Sequence, residues 1–160
     1  MIDVKNQFPI FGNKIKGKKL IYLDSANSSQ KPKSVIDKLN HFYSYEFANV
    51  GRGIYQLASS ASEKYEETRS ELKKFINCKD DSEIVFTKNS TESLNLIAQC
   101  FGEKYINEGD EIISTELEHH ANYVPWHFFF FFKKAVIKFI QVDDSVNLLI
   151  DKLSELITIK

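Results

Sequence analysis

Glu83-Ile84-Val85-Phe86-Thr87-Lys88-Asn89-Ser90-Thr91-Glu92 decides the fold, because the chain changes period there. Ile84-Val85-Phe86 is a short unbroken apolar run between polar residues, the pattern of a strand covered on both faces. Beyond it the spacing predicts a helix from about Ser90 to Tyr105, with Leu94, Ile97, Ala98, Phe101 and Tyr105 turned inward. Glu108-Gly109-Asp110 reads as a turn into a strand at Glu111 to Ser114. A helix from about Asn122 to Lys133, a strand from Val136 to Ile140 and a last helix from Leu148 to Ile157 follow. Strand and helix in strict alternation predict an α/β fold, a parallel sheet with right-handed crossovers.

Upstream the period is helical. Val35, Ile36, Leu39, Phe42, Tyr43 and Phe47 recur on one face of a helix entered at Pro32, where a first-turn proline is tolerated. A second helix carries Ala61, Tyr65, Leu72, Phe75 and Ile76 on one face and mostly Glu and Lys on the other. The glycines of Asn49-Val50-Gly51-Arg52-Gly53 predict a turn between them. No internal repeat or Pro/Gly/Ser-rich linker divides the chain.

Its 160 residues have a one-domain length, and 42% hydrophobic and 13% aromatic content is ordinary for a globular protein. With 21 basic against 22 acidic residues, the sequence carries no electrostatic footprint for nucleic acid or an anionic membrane. Cys78 and Cys100 form no CxxC pair and lack histidines at ligand spacing, which argues against zinc or a redox dithiol and for a reducing compartment. Met1 to Asn6 has neither an export core nor an Arg-rich transit pattern, so the expected location is the cytoplasm, with an organelle stroma as the variant. Arg52 and Arg69 are the only arginines, and Lys, Asn, Ile and Phe are abundant, a bias expected of an A/T-rich genome. Phe128 to Phe132 then reads as codon drift on a buried helix, and five residues are too few to cross a bilayer.

Ligands of open α/β sheets collect at the carboxyl ends of strands, which directs attention to two loops. Lys88-Asn89-Ser90-Thr91-Glu92 places hydroxyls and backbone N–H groups at a helix start, where the macrodipole favours an anion such as phosphate. The plainer reading is an ordinary helix cap, with Ser or Thr followed by Glu in the first turn. The second loop is Glu118-His119-His120-Ala121-Asn122-Tyr123-Val124-Pro125-Trp126. Two adjacent histidines supply too few ligands for zinc, so no metal is expected. A flat imidazole here can instead stack on an aromatic cofactor whose phosphate sits in the first loop.

Four segments resemble one known family, the fold-type I pyridoxal-phosphate enzymes, and within it the cysteine desulfurases of the SUF (group II) type, which are class V aminotransferase-like. Tyr22-Leu23-Asp24-Ser25-Ala26-Asn27-Ser28-Ser29-Gln30-Lys31-Pro32 looks like the family's "YLDSAASAQKP", and Asn49 to Ile54 like its "VHRGI" loop. Ser90-Thr91-Glu92 looks like its "TTE" phosphate turn, and Glu118 to Trp126 like its "EHHANIVPW". All four stand in family order. The resemblance implies that residues 1–160 form the N-terminal portion of such a domain, an incomplete transferase large domain with parallel-type strands flanked by helices.

It implies roles residue by residue. Ser90 and Thr91, with backbone beside Asn89, would hold the phosphate of pyridoxal 5'-phosphate. His119 would stack on its pyridine ring and assist proton transfers, with His120 and Asn122 supporting that loop. Arg52, Glu92 and Asn122 would face substrate or a dimer interface. The implied reaction converts L-cysteine to L-alanine and an enzyme-bound persulphide for iron–sulphur cluster assembly, in a homodimer that serves a sulphur-acceptor protein; L-selenocysteine is a related substrate.

The sequence departs from the family at Gly51 and Tyr55, where histidines are usual. The family's cofactor-bearing lysine, the aspartate that pairs with the pyridine nitrogen and the persulphide cysteine fall beyond residue 160. Lys88 reads as an exposed loop lysine, and Cys78 and Cys100 as packing or surface residues. The expectation is therefore a chain that binds the cofactor weakly, turns over no cysteine alone, and exposes a strand edge and apolar helix faces, Phe128 to Phe132 among them. The other readings are a non-catalytic remnant that dimerises with or modulates a full-length enzyme, and another activity of the same cofactor superfamily, aminotransferase or kynureninase-like.

Overall fold

The structure, a computed structural model, describes residues 4–158. Met1 to Asp3, the start of the segment read for a leader, lie outside the described residues, as do residues 159–160. The chain forms two compact units, Met1–Ile84 and Val85–Lys160.

In the first unit two 3-10 turns, Lys5–Gln7 and Pro9–Gly12, lead into a small antiparallel hairpin of β1 (Lys14–Ile15) and β2 (Lys18–Lys19) that the sequence does not predict. Lys16 and Gly17 between them have φ of 51° and 77°, the doubly left-handed turn whose twist matches paired strands. Helix α1 (Lys33–His41) follows and continues through a π turn, Phe42–Glu46. Pro32 precedes α1 in an extended conformation, so it stands at the cap and not in the first turn as predicted. Helix α2 (Gln56–Phe75) is closed by Asn77 at φ 59°. The Asn77 and Cys78 amides donate back to the carbonyls of Lys74 and Lys73, the double bond that a left-handed residue makes possible at a helix end.

Charge ties these pieces together. Glu46 accepts from Lys64 at 2.6 Å and stands 3.2 Å from His41 and 3.8 Å from Lys38. The Lys64 bond is the main reason its carboxyl is held below the ordinary glutamate range. Asp81 is likewise held low by Lys73 at 2.8 Å and the Ser70 hydroxyl at 2.9 Å. Apolar burial is slight: Ala58, Ala61 and Ile84 are the buried hydrophobic residues described in this unit. Both predicted inward faces are largely exposed, including Leu39 at 52% and Phe75 at 86%. Periodicity identifies the face that seeks a partner; it does not supply the partner.

The expected strand at Glu83 to Thr87 does not form. Asp81–Glu83 is a short 3-10 turn, Ile84 is extended, and among the described residues no strand pairs with the segment. A strand exists only through hydrogen bonds to a neighbour, so extended backbone without one stays a loop.

In the second unit the alternation holds. Helix α3 (Ser90–Ile97) runs on through a π turn, Ala98–Gly102, into the single turn of α4 (Glu103–Tyr105). Strand β3 (Glu111–Thr115), helix α5 (His120–Lys133) and strand β4 (Val136–Ile140) form one crossover unit. The two strands pair in parallel from Glu111 opposite Val136 to Thr115 opposite Ile140. The predicted last helix shortens to α6 (Leu153–Leu156) after a 3-10 turn, because Leu148 is drawn into an antiparallel bridge with Val142. Lys138 pins this end, donating to the Leu156 carbonyl at 2.8 Å while pairing with Glu111 at 2.7 Å.

The core of this unit is Ala98, Ile106, Phe129 and Ala135, with Ile112 and Trp126 packed on it. Of the predicted inward residues on α3 to α4 only Ala98 is fully buried; Ile97, Phe101 and Tyr105 are more than half exposed. Within the Phe run only Phe129 is buried, at 2%, against 69% and 73% for Phe131 and Phe132. A single helical face can turn only one residue in four directly toward the core. The reading of the whole run as buried is corrected, and the expectation of exposed apolar helix faces describes it better.

Candidate cofactor site at two helix starts

Asn89 caps α3. Its side-chain oxygen accepts from the Glu92 amide at 2.9 Å, while the Glu92 carboxylate turns back to accept from the Lys88 amide. This reciprocal bracket satisfies two donors that the helix start would leave orphaned and holds the turn in shape. Thr87 and Ser93 close it from behind, hydroxyl to hydroxyl at 2.6 Å. Ser90 and Thr91 are exposed, and among the described residues their hydroxyls meet no partner. Two free hydroxyls at the positive end of a helix dipole form a donor set suited to phosphate.

The second loop joins β3 to α5. His119 is the cap of α5, its Nδ1 accepting from the Ala121 amide at 3.1 Å, with the ring exposed and edge-on to His120 at 6.3 Å. The spacing predicts a start near Asn122; α5 begins at His120. Behind His119 runs a chain of side chains. The Thr115 hydroxyl donates to Glu118 at 3.4 Å, Asn122 donates to the other Glu118 oxygen at 2.9 Å, and the Trp126 indole donates to Asn122 at 3.2 Å. Both polar ends of the Asn122 amide are therefore used inside the loop. Glu116 fastens the same turn to the end of β4: its amide donates to the Ile140 carbonyl at 3.1 Å, and its carboxylate accepts from the Val142 amide at 3.2 Å.

The two helix starts share one end of the unit. Asn95, Ala98 and Gln99 from one helix run and Pro125, Phe128 and Phe129 from α5 line a cleft of about 440 Å³. Further along, Gly102 abuts the Phe129 ring so closely that a Cβ there would overlap it, and Lys133 donates to the Gly102 carbonyl at 3.1 Å. The contacts step from Gly102 against Phe129 to Glu103 against Lys133, forward along both, so the run from α3 to α4 and α5 are parallel and their N-termini point the same way. The phosphate-type turn at Asn89 to Thr91 and the exposed imidazole of His119 thus belong to one end of one packed pair. The residues present fit a flat ring carrying a phosphate.

The other sequence candidates fall elsewhere or take structural parts. Arg52 lies in the first unit, exposed, on the loop where Gly51 adopts φ 125° and donates its amide to the Ser62 hydroxyl at 3.0 Å. That backbone conformation suits glycine and disfavours the histidine usual at this place. Lys88 is 85% exposed and sits 3.6 Å from Glu92, as a loop lysine. Cys78 is held in its thiol form by burial and by Glu83, and Cys100 is exposed. The Thr115–Glu118 link and the Trp126 link were not read from the sequence. Their signal was present in the spacing of Glu118, Asn122 and Trp126, each four residues from the next along one helical face.

Comparison with known proteins finds relatives over nearly the whole chain. A "Probable cysteine desulfurase" of Synechocystis sp. is 46% identical over 142 residues, covering 89% of this chain and 34% of that protein. A "Cysteine desulfurase" of Wigglesworthia glossinidia brevipalpis is 45% identical over 155 residues, covering 97% of this chain and 38% of its own length. The solved apo structure of a cysteine desulfurase from Thermococcus onnurineus NA1 superposes with a TM-score of 0.86 at 36% identity, over 96% of this chain and 36% of that one. The chain thus spans a little over a third of the length of these relatives. Residues 21–160 match the family described as Aminotransferase class-V, and the chain belongs to that family.

Proposed function

We propose that this chain supplies the phosphate-holding and ring-facing part of a pyridoxal 5'-phosphate site in a cysteine desulfurase. The parallel packing of α3 and α5, which presents Asn89 to Thr91 and His119 at one end, carries this reading. Ser90, Thr91 and the first-turn amides would hold the phosphate, and His119 would lie against the ring. When bound, the cofactor supplies an electron sink for breaking bonds at the substrate's α and β carbons. The protein's part is to orient that group, keep its phosphate fixed and place an imidazole over one face. Arg52 and Glu92 would serve substrate or a dimer interface, and L-cysteine, with L-selenocysteine as its analogue, would be the substrate of a homodimeric parent enzyme that passes sulphur to an acceptor protein. The site of action on this reading is the cytoplasm or an organelle stroma.

The 160 residues alone hold the cofactor through phosphate and stacking contacts and release no sulphide. Titration of the chain with pyridoxal 5'-phosphate, followed by the cofactor's absorbance, tests this. Saturable binding that weakens about tenfold in Thr91→Ala, the loss of one charge-assisted hydrogen bond, supports it. Binding that is indifferent to both Thr91→Ala and His119→Ala overturns it.

A second reading is supported by the exposed apolar faces, Leu39 at 52% and Phe132 at 73% among them. On that reading the chain is a non-catalytic partner of a full-length desulfurase. Retention on an immobilised intact enzyme, without cofactor binding of its own, is the outcome that distinguishes it.

A further inference from the structure

Asn122 and Glu118 offer polar groups near His119, yet both are spent on each other and on Thr115 and Trp126. These bonds make one relay across the β3–α5 turn, half-buried throughout, from the last residue of β3 to the second turn of α5. The turn is clamped at its other side by Glu116 against the end of β4. His119, standing between Glu118 and His120, has its main chain fixed by both clamps. Its carbonyl accepts from the Asn122 and Tyr123 amides at 2.8 and 3.2 Å. With Nδ1 accepting from the Ala121 amide, the ring proton of the neutral imidazole resides on Nε2, the exposed edge.

We propose that Glu118, Asn122 and Trp126 are positioning residues that act through His119, holding its imidazole at one angle with Nδ1 bound to the chain's own backbone and Nε2–H presented outward. This rests on the reading of His119 as the residue that lies against the cofactor. The consequence is that His119 meets its ligand as a fixed plane with a donor edge. Nδ1 serves the helix, and Nε2–H is the edge left for a ligand. An unclamped turn would leave the ring to rotate about χ1 and χ2, and a rotating ring stacks weakly because its ordering must be supplied on binding.

The experiment needs no cofactor. In the isotopically labelled 160-residue chain, the solvent-exchange rate of the Ala121 amide and the order parameter of the His119 ring are measured by NMR. Glu118→Ala is expected to raise Ala121 exchange about tenfold, the loss of one ordinary hydrogen bond, and to lower the ring's order. Glu118→Gln keeps an oxygen for Asn122 and is expected to restore both. Trp126→Phe keeps the apolar body against the core, removes only the indole donor, and is expected to fall between them. Should Glu118→Ala unfold the chain, the comparison of Glu118→Gln with Trp126→Phe decides. Unchanged exchange and ring order in Trp126→Phe overturn the proposal, as does a Glu118→Gln chain no better ordered than Glu118→Ala. Loss of cofactor binding in wild type with these NMR effects intact removes the reading of the site and leaves the relay standing.

Discussion

Phe129 lies within α5 and Phe47 closes the π turn that continues α1, yet Phe129 is 2% exposed and Phe47 63%. The difference lies in what each unit offers its aromatic residues. In the second unit Gly102, bare of a side chain within a π turn, leaves a gap that the Phe129 ring fills, and Trp126 and Ala98 complete the wall. In the first unit the buried positions of α2 are the small residues Ala58 and Ala61, and the carboxylates of Glu46 and Asp81 tie its neighbours to it. Partly exposed ion pairs of this kind contribute little to stability, whereas a filled aromatic hole contributes much. The unit that carries the candidate site is the one with a packed hydrophobic centre, and that packing sets the parallel alignment of the two helix starts.

The comparison breaks most readily at Phe129. Phe129→Ala is expected to destabilise the second unit by about 3–5 kcal/mol, the usual cost of emptying a filled aromatic site. Urea unfolding followed by Trp126 fluorescence would check it, and a loss below 1 kcal/mol would mean the α3–α5 interface is not the organising contact. Asn89→Ala removes the α3 cap and should cost about 1 kcal/mol, with the loss of helicity confined to Ser90 to Ile97 in amide exchange.

Acid should separate the units differently. Glu46 and Asp81 in the first unit and Glu111 in the second are held below their ordinary range chiefly by Lys64, Lys73 and Lys138. A depressed folded-state value means the stabilisation is complete above the unfolded value, about pH 4 for such carboxyls, and disappears as pH falls through the lower folded value. Below about pH 4, NMR shifts of α1 and of Leu156 to Thr158 are therefore expected to move toward unfolded positions while β3 and β4 stay paired. Movement as pH rises would contradict the assignment. The smallest effect is Leu39→Ala: at 52% exposure it should change stability by no more than about 0.5 kcal/mol. A large loss would show that the α1 face is covered in solution.

Much of the second unit was legible because its elements are local. Val136 to Ile140 is a strand as read, Glu111 to Ser114 extends by one residue, and the α5 helix begins two residues early because His119 acts as its cap. A histidine cap was invisible to a reading that looked for Ser, Thr, Asn or Asp. The segment at Glu83 to Thr87 has strand chemistry and no strand, since among the described residues no strand pairs with it. Of the candidate site, Asn89, Ser90, Thr91 and His119 are proposed from loop position and family likeness. The relay through Thr115 and Trp126 joins a strand end to a helix interior, and only folding brings those together.

The sequence by itself determined that helix and strand alternate in the second unit, which faces are apolar, and that a helix follows each of two polar turns, because each depends on residues within a few positions of one another. Only the tertiary structure decided which apolar residue is buried and that α3 and α5 run side by side in the same direction. It also decided that Asn122 is spent on Glu118 and Trp126. Burial, alignment and hydrogen-bond pairing all require a second surface, and a pattern along one chain states the need for that surface without saying where it is.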